Sequence, residues 1–370
     1  MSGSFAIPSA AESLRALAAR DPALPDLPLV IDGRLRDEAL GFETVVERLR
    51  YKPGASVVAA VRAREGGRFW VVSYSDPVKL EKSRSRARLA GAEAIVLSPR
   101  ALAGPAHADR LLVRPLARAF DAAAPAFGGA TVIRYNPLRR LVLRDGRQAL
   151  KITADAGSAS PVIARVLAER GLPVLVPEQL AEGVTSCPWW GVGDLSHSNA
   201  AGLARQAGEA LAGVHALAPD GLPLSALDPA RLTRTAITAV TALLPQLSGQ
   251  LERLGATLSE LRGGGSGVLS HGDWSADQVL TDGREVRIID LDRAVAAPPE
   301  YDLGTYLACG GDPALLDGYR EAGGRIDRRS LPVWRSLAVL LRATEPFRSG
   351  EADWPSGIER AVARAEEALL

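Results

Sequence analysis

An internal repetition in the first half of this chain constrains its fold more than any other feature. The stretch "RLRYKPGASVVAAVR" (Arg48 to Arg62) is echoed by "VIRYNPLRRLVLR" (Val132 to Arg144), aligning Arg50-Tyr51 with Arg134-Tyr135 and Pro53 with Pro137. Each copy reads as strand, Pro-containing turn, strand. A third strand follows in both, "RFWVVSYSD" and "RQALKITAD", then a helical stretch, then a strand-like segment, "DRLLVRPL" or "LPVLVPEQL". A shared order of this kind predicts duplication: two small antiparallel sheets of similar build, each with a helix, over residues 1–125 and 126–195.

The copies differ where chemistry is concerned. With Asp76 aligned to Asp155, Val72 stands opposite Lys151, so only the second copy has a lysine on its third strand. Lys151 lies between Leu150 and Ile152, a position that allows either face of the strand. Downstream, Ser160-Pro161 suits an N-cap and first helical position. Val162, Ile163, Val166 and Leu167 give one apolar face, and Gly171 a stop.

From about residue 198 the apolar period becomes helical. Leu203, Ala207, Leu211, Val214 and Leu217 follow a Ser198/Asn199 cap, and residues 229–262 offer two amphipathic segments around Pro245. "GGGSG" (Gly263 to Gly267) reads as a flexible break, and long helices are predicted at about 330–345 and 356–370. A β-rich first half and a helical remainder, 196–370, predict an α+β fold. Lys and Arg total 44 against 43 Asp and Glu, so no field of one sign points to nucleic acid or a membrane surface. No apolar run reaches membrane-spanning length, the N-terminus lacks a basic segment followed by an apolar core, and Cys187 and Cys309 are too few for a disulfide framework. A cytoplasmic protein is expected.

The chemistry concentrates between His271 and Asp302. "HGDWSADQVL" is followed by "IIDLDR", which sets Asp290, ten residues past Leu280, and Asp292 in an otherwise apolar run. Buried carboxylates are costly unless a cation or a reaction compensates them. A loop carrying His271 and Asp273, then two strands joined by the tight "TDGRE" turn, would bring Asp273, Gln278 and Asp290 together. Such a set suits phosphoryl transfer: one carboxylate for the attacking hydroxyl, and a carboxylate with an amide oxygen for magnesium. His271, with Asp273 a candidate residue of the catalytic loop, is expected to organise that loop, with backbone or Asp302 as its partner, rather than to act as a base. Asp292 is either a second acidic ligand or a salt-bridge partner of Arg293.

"LSHGDWSADQVL…VRIIDLDRAVAAPPEYDLGTYLA" resembles the aminoglycoside phosphotransferase and choline kinase-like family, relatives of the protein kinases. The family pattern H-G-D-x4-N, I-D, D-L-A is met by His271-Gly272-Asp273, Ile289-Asp290 and Asp302-Leu303-Gly304, and "LAGVHAL" around His215 resembles an early helix of the second lobe. The likeness covers about residues 130–370. It implies a protein-kinase-like bilobal fold, an antiparallel-sheet N-lobe and a mostly helical C-lobe, preceded here by a degenerate N-lobe-like cap. It also implies Mg2+, ATP or GTP as co-substrate, and a small hydroxylated acceptor such as a sugar, amino sugar or aminoglycoside-like compound. Carried over, Asp273 is the catalytic base, Lys151 binds nucleotide phosphates, and Gln278 and Asp290 hold magnesium. Gln278 replaces the usual Asn, as in the maltokinase-like branch, which also bears an N-terminal cap. No glycine-rich loop is present. "NPLRR" takes its place, so Asn136, Arg139 and Arg140 are candidate phosphate contacts or a solvated turn. No glutamate occupies the middle of "SPVIARVLAERG" to pair with Lys151; Glu169 comes late. Two other functions fit the same residues, a kinase of peptide Ser or Thr in natural-product biosynthesis and a nucleotide-binding pseudokinase.

Overall fold

The computed structural model describes residues 8–123, 129–155, 157–198, 200–261 and 267–370. Most of the glycine-rich break (Gly263 to Gly267) and Asn199 of the anticipated cap lie outside the described residues.

The first unit opens with three helices, α1 (Ala10–Arg20), α2 (Leu27–Ile31) and α3 (Gly33–Leu40). A sheet follows from β1 (Thr44–Lys52), β2 (Ser56–Ala63), β3 (Arg68–Tyr74), β4 (Ile95–Ser98) and β5 (Ala101–Pro105), with α4 (Pro77–Leu89) between β3 and β4. The second unit has α5 (Val113–Ala123), β6 (Thr131–Asn136), β7 (Arg140–Asp145), β8 (Gln148–Thr153), α6 (Ser160–Glu169), β9 (Glu178–Ala181) and β10 (Val184–Pro188). Strand order is β1-β2-β3-β5-β4 in one sheet and β6-β7-β8-β10-β9 in the other, antiparallel throughout. The two sheets therefore share one topology.

They also share a lock. In the first unit Asp21 accepts from the Tyr51 hydroxyl (2.8 Å) and the Gly54 backbone N–H (2.8 Å). In the second, Asp109 accepts from the Tyr135 hydroxyl (2.8 Å) and the Leu138 backbone N–H (2.7 Å). Each carboxylate thus pins the Pro-containing turn of its own sheet to the residues that precede it. The pinned residue has positive φ in both, 67° at Gly54 and 61° at Leu138. A leucine there is strained, and the buried Asp109 bonds help hold it.

"DRLLVRPL" departs from its strand-like reading. It turns through residues 109–112 into α5, because Leu112, Leu116 and Ala119 fall at helical spacing and bury against the second sheet. The strands of the first unit come earlier, in "AIVLSPRALAGP". In "LPVLVPEQL", Val174 makes an isolated bridge to Ile288 before β9 begins. Two cap readings shift slightly. Ser160 opens α6 with Ala159 as its N-cap, and α7 (Ala201–His215) takes Ala200 rather than Ser198.

The third unit starts at β11 (Gly193–Asp194) and α7, followed by α8 (Pro229–Leu243) and α9 (Ser248–Leu258), which flank Pro245. Next come β12 (Val268–Ser270), β13 (Val279–Thr281), β14 (Val286–Ile288), β15 (Val295–Ala297) and α10 (Pro299–Ala308). The chain ends in α11 (Ala314–Glu321), α12 (Leu331–Leu341), α13 (Glu345–Arg348) and α14 (Trp354–Glu367). One apolar core joins α8, α9, α12 and α14 to the α1/α2 face of the first sheet. A second core joins α6 to α7 and the β13–β14 hairpin. A third runs between the sheets, taking Trp70, Val72 and Leu80 from the first unit and Leu141, Leu150 and Ile152 from the second.

That third core explains why the two sheets diverge in chemistry. Val72 is 1% exposed, on the face of β3 that packs against α4 and the second sheet. Lys151, on the corresponding strand, faces a cleft instead. Val72→Lys is therefore expected to bury an unpaired ammonium and to destabilise the protein by roughly 3–5 kcal/mol, without creating a second nucleotide site. Urea unfolding and a nucleotide titration check this; wild-type stability in the variant would refute the packing argument.

Candidate active site

β12 ends at Ser270 and delivers His271, Gly272 and Asp273 into a tight loop. Gly272 has φ 84°, and a Cβ there would lie 1.9 Å from the Arg293 carbonyl oxygen, so both conformation and space demand glycine. The loop hangs on Asp302, 0% exposed in the first half of α10. Its two oxygens accept from the backbone N–H of His271 (2.7 Å) and of Gly272 (2.9 Å). His215 at the end of α7 braces the same carboxylate, with Nε2 3.1 Å from Asp302 and Nδ1 2.9 Å from the Tyr319 hydroxyl. A carboxylate only accepts, so His215 donates to Asp302 from Nε2.

His271 is fully buried, and both ring nitrogens are used: Nε2 lies 2.8 Å from the Ile289 carbonyl, and Nδ1 accepts from the Asp273 N–H at 3.3 Å. Its ring meets Trp274 edge-on at 5.4 Å. Although its place beside Asp273 made it a candidate catalytic residue, here it ties the loop to the strand that carries Asp290.

Asp273 is half-buried and held by two arginines, Arg342 Nη2 at 2.7 Å on one oxygen and Arg293 Nη1 at 3.4 Å on the other. Arg293 therefore turns to Asp273, not to Asp292. Asp290 follows β14 in the left-handed region at φ 61° and accepts from Lys151 (2.7 Å) and Arg140 (2.9 Å). Burial alone would raise its pKa, but the charges of Lys151 and Arg140 outweigh that and hold the carboxyl well below the usual range. Asp292 closes on the same Lys151 ammonium and accepts from the Ser158 hydroxyl at 3.0 Å. The missing helix glutamate is thereby explained. Glu169 is exposed at the end of α6, and two carboxylates from the far side of the cleft take the lysine instead. Gln278 is buried, its amide nitrogen 2.9 Å from Asp277, which leaves its carbonyl oxygen without a donor among the described residues.

Two cavities meet at Asp290. The larger, about 780 Å³, lies between the second sheet and the β13–β14 hairpin. Lys151, Arg140, Gln278, Asp290 and Asp292 line it, with Val142, Ala149, Leu280, Ile289 and Trp190 as apolar walls. The smaller, about 530 Å³, is lined by Asn136, Arg139, Arg140, Asp273, Asp290, Asp292 and Arg293. Of the four residues expected at the nucleotide, Lys151 and Arg140 line the larger cavity. Asn136 and Arg139 line only the smaller, beside Asp273. The helices between 199 and 262 and between 311 and 370 contribute no described lining residue to either cavity.

Sequence reasoning missed Arg342, Asp109 and the Trp189-Trp190 pair. The tryptophans, tucked between β10 and β11, carry Arg144 over Trp189 at 4.3 Å and Arg287 over Trp190 at 5.5 Å. Two adjacent tryptophans in a chain with six were a visible signal. Arg342 had none, being one arginine among many on a helix end.

The sequence profile of the phosphotransferase enzyme family (APH) matches residues 130–340. No curated protein is significantly similar to the chain. Among solved structures, a choline/ethanolamine kinase family protein from Mesorhizobium loti is 19% identical, covering 69% of this chain and 94% of its own, with TM-score 0.50. A spectinomycin phosphotransferase solved with ADP and spectinomycin is 18% identical, covering 65% and 92%, with TM-score 0.50. An APH protein solved with GDP and kanamycin is 14% identical, covering 69% and 99%, with TM-score 0.52. At these identities the likeness is one of fold, a protein-kinase-like pairing of an antiparallel-sheet lobe with a helical lobe. The match is to the family as a whole and singles out no branch of it. With more than half of the sequence matched by the family profile, the chain belongs to the phosphotransferase enzyme family.

Proposed function

We propose that this protein transfers the γ-phosphoryl group of ATP or GTP to a hydroxyl of a small polar molecule of the sugar type. Residues 126–195 would form the nucleotide lobe, 196–370 the catalytic lobe, and 1–125 a cap, a degenerate copy of the nucleotide lobe. The observation that carries the reading is the meeting of Lys151, Asp290 and Asp292 in one cleft, next to a second cavity walled by Asp273.

The donor set fits magnesium. Lys151 already stands as a cation between the carboxylates of Asp290 and Asp292, so this point attracts positive charge. No group of three or more His, Cys, Asp or Glu among the described residues could hold a metal by itself. Magnesium asks for less, one or two carboxylates with phosphate and water completing its shell. Asp290, with the Gln278 amide oxygen and Asp292, would hold it. Bound there, the ion would neutralise charge on the phosphates.

The rest falls to the protein. Lys151 and Arg140, freed from Asp290, would bind phosphate oxygens, while apolar walls and Trp190 enclose the base. Asp273 would orient the acceptor hydroxyl and take its proton as the oxygen bonds to the γ-phosphorus and the bond to the β-phosphate oxygen breaks. Arg342 and Arg293 fix where that carboxylate points. The non-catalytic alternative loses support, because Asp273, Gln278 and Asp290 are all present at the cleft.

The test is transfer of label from γ-labelled ATP or GTP to a mixture of hydroxylated metabolites, with and without magnesium, for the wild type and for Lys151→Ala. Magnesium-dependent labelling is expected. Lys151→Ala should raise the nucleotide KM about tenfold or more, the size of a lost charge-assisted contact. Absence of any magnesium-dependent nucleotide binding would refute the proposal.

A further inference from the structure

We infer, building on the phosphotransferase reading above, that Asp277 is a positioning residue for the metal side of the site. Its carboxylate holds the Gln278 amide so that the oxygen, and not the NH2 group, faces the cation.

The need for such a residue lies in glutamine itself. The side chain is long, and its last torsion is broad and roughly two-fold, so a free Gln278 samples many rotamers and both amide orientations. Only one orientation serves a metal ion. An amide oxygen donates electron density to a hard cation, whereas an NH2 group offers it only hydrogens.

Three adjacent residues make the choice. Ala276–Gln278 form a single 3₁₀ turn, closed by the Gln278 N–H on the Ser275 carbonyl at 2.9 Å. Asp277 sits in the middle of it. One of its oxygens accepts from the Ser275 hydroxyl, and the other from Gln278 Nε2 at 2.9 Å. A carboxylate only accepts, so the NH2 end of the amide is the end that meets it. The amide oxygen is thereby turned the other way. It has no donor among the described residues, yet it is not one of the side-chain atoms buried without a partner. It therefore opens to the larger cavity, which Gln278 lines together with Asp290 and Asp292. Ser275 and Gln278 are 6% and 7% exposed, which leaves neither much room to swing away.

Ordinary turn chemistry does not account for Asp277. In the nearby "TDGRE" turn, Asp282 accepts from the backbone N–H groups of Arg284 and Glu285 at 2.8 and 2.9 Å, and so braces the turn itself. Asp277 accepts from no backbone N–H among the described residues; both of its oxygens go to side chains. The rival role is that of a metal ligand, since Asp277 also lines the larger cavity. The two roles make different demands. A ligand needs the negative charge, whereas a positioning residue needs only an acceptor, which the oxygen of an asparagine also supplies.

Manganese(II) is the probe, titrated into the full chain with a non-hydrolysable ATP analogue and followed by the electron paramagnetic resonance signal of the free ion. Asp277→Ala is expected to weaken manganese binding about five- to tenfold, the effect of releasing one glutamine side chain. Asp277→Asn should stay within about twofold of the wild type, because the amide keeps its acceptor. In a Gln278→Ala background, Asp277→Ala should add nothing, there being no amide left to hold. Equal weakening by Asp277→Asn and Asp277→Ala would overturn the inference in favour of a direct ligand, as would effects of Asp277→Ala and Gln278→Ala that simply add. Wild-type manganese affinity in Asp277→Ala would overturn it outright. If the wild type binds the ATP analogue but no manganese, the metal role of Gln278 falls and this inference with it. If it binds neither, the phosphotransferase reading falls as well.

Discussion

Asp273→Asn should lower the turnover number by about a thousandfold while leaving nucleotide affinity unchanged. A positioned base contributes roughly 10² to 10⁴ to such a step. An amide can still accept a hydrogen bond from the acceptor hydroxyl, but it cannot take the proton as the new oxygen–phosphorus bond forms. The same change strips Arg342 and Arg293 of their shared carboxylate, so the groups fixing the acceptor's approach lose their anchor as well. Asp273 lies outside the larger cavity, and therefore ATP binding is expected to persist. Single-turnover transfer of labelled phosphate, alongside calorimetric titration of the nucleotide, separates the two effects. A variant that keeps a tenth or more of the wild-type rate would remove Asp273 from the role of base.

The second large effect is on stability. Asp302→Ala is expected to cost about 3–5 kcal/mol and, with it, nearly all activity. Three buried donors lose their acceptor at once: the backbone N–H groups of His271 and Gly272, and His215 Nε2. None has water at hand, because Asp302 and His271 are 0% exposed. The loop they hold is the one that aims Asp273, so damage to folding and to chemistry should appear together. Asp302→Asn is the gentler control. It keeps an acceptor for one donor but sets an amide NH2 against another, and should fall between the wild type and the alanine variant. Urea unfolding with far-UV circular dichroism gives the ordering. A loss below about 1 kcal/mol for the alanine variant would show that the loop is held by other means.

The sequence by itself determined what is local or periodic. Alternation around Pro53 and Pro137 is enough for two sheets of like order, since strand and turn preferences act over a few residues. The spacing of His271, Asp273, Gln278 and Asp290 places those side chains on one loop and hairpin, because β13 and β14 are joined by a turn too short to allow another arrangement. What only the tertiary structure decided is which charges meet. Lys151 takes Asp290 and Asp292 across more than a hundred positions, Arg342 takes Asp273, and Arg48 takes Glu345. An ion pair depends on distance and burial, and neither is written in the spacing of residues so far apart along the chain. "DRLLVRPL" became a helix for the same reason, its apolar face being settled by the second sheet it covers. Folding alone brought the "NPLRR" turn and the end of α12 to Asp273.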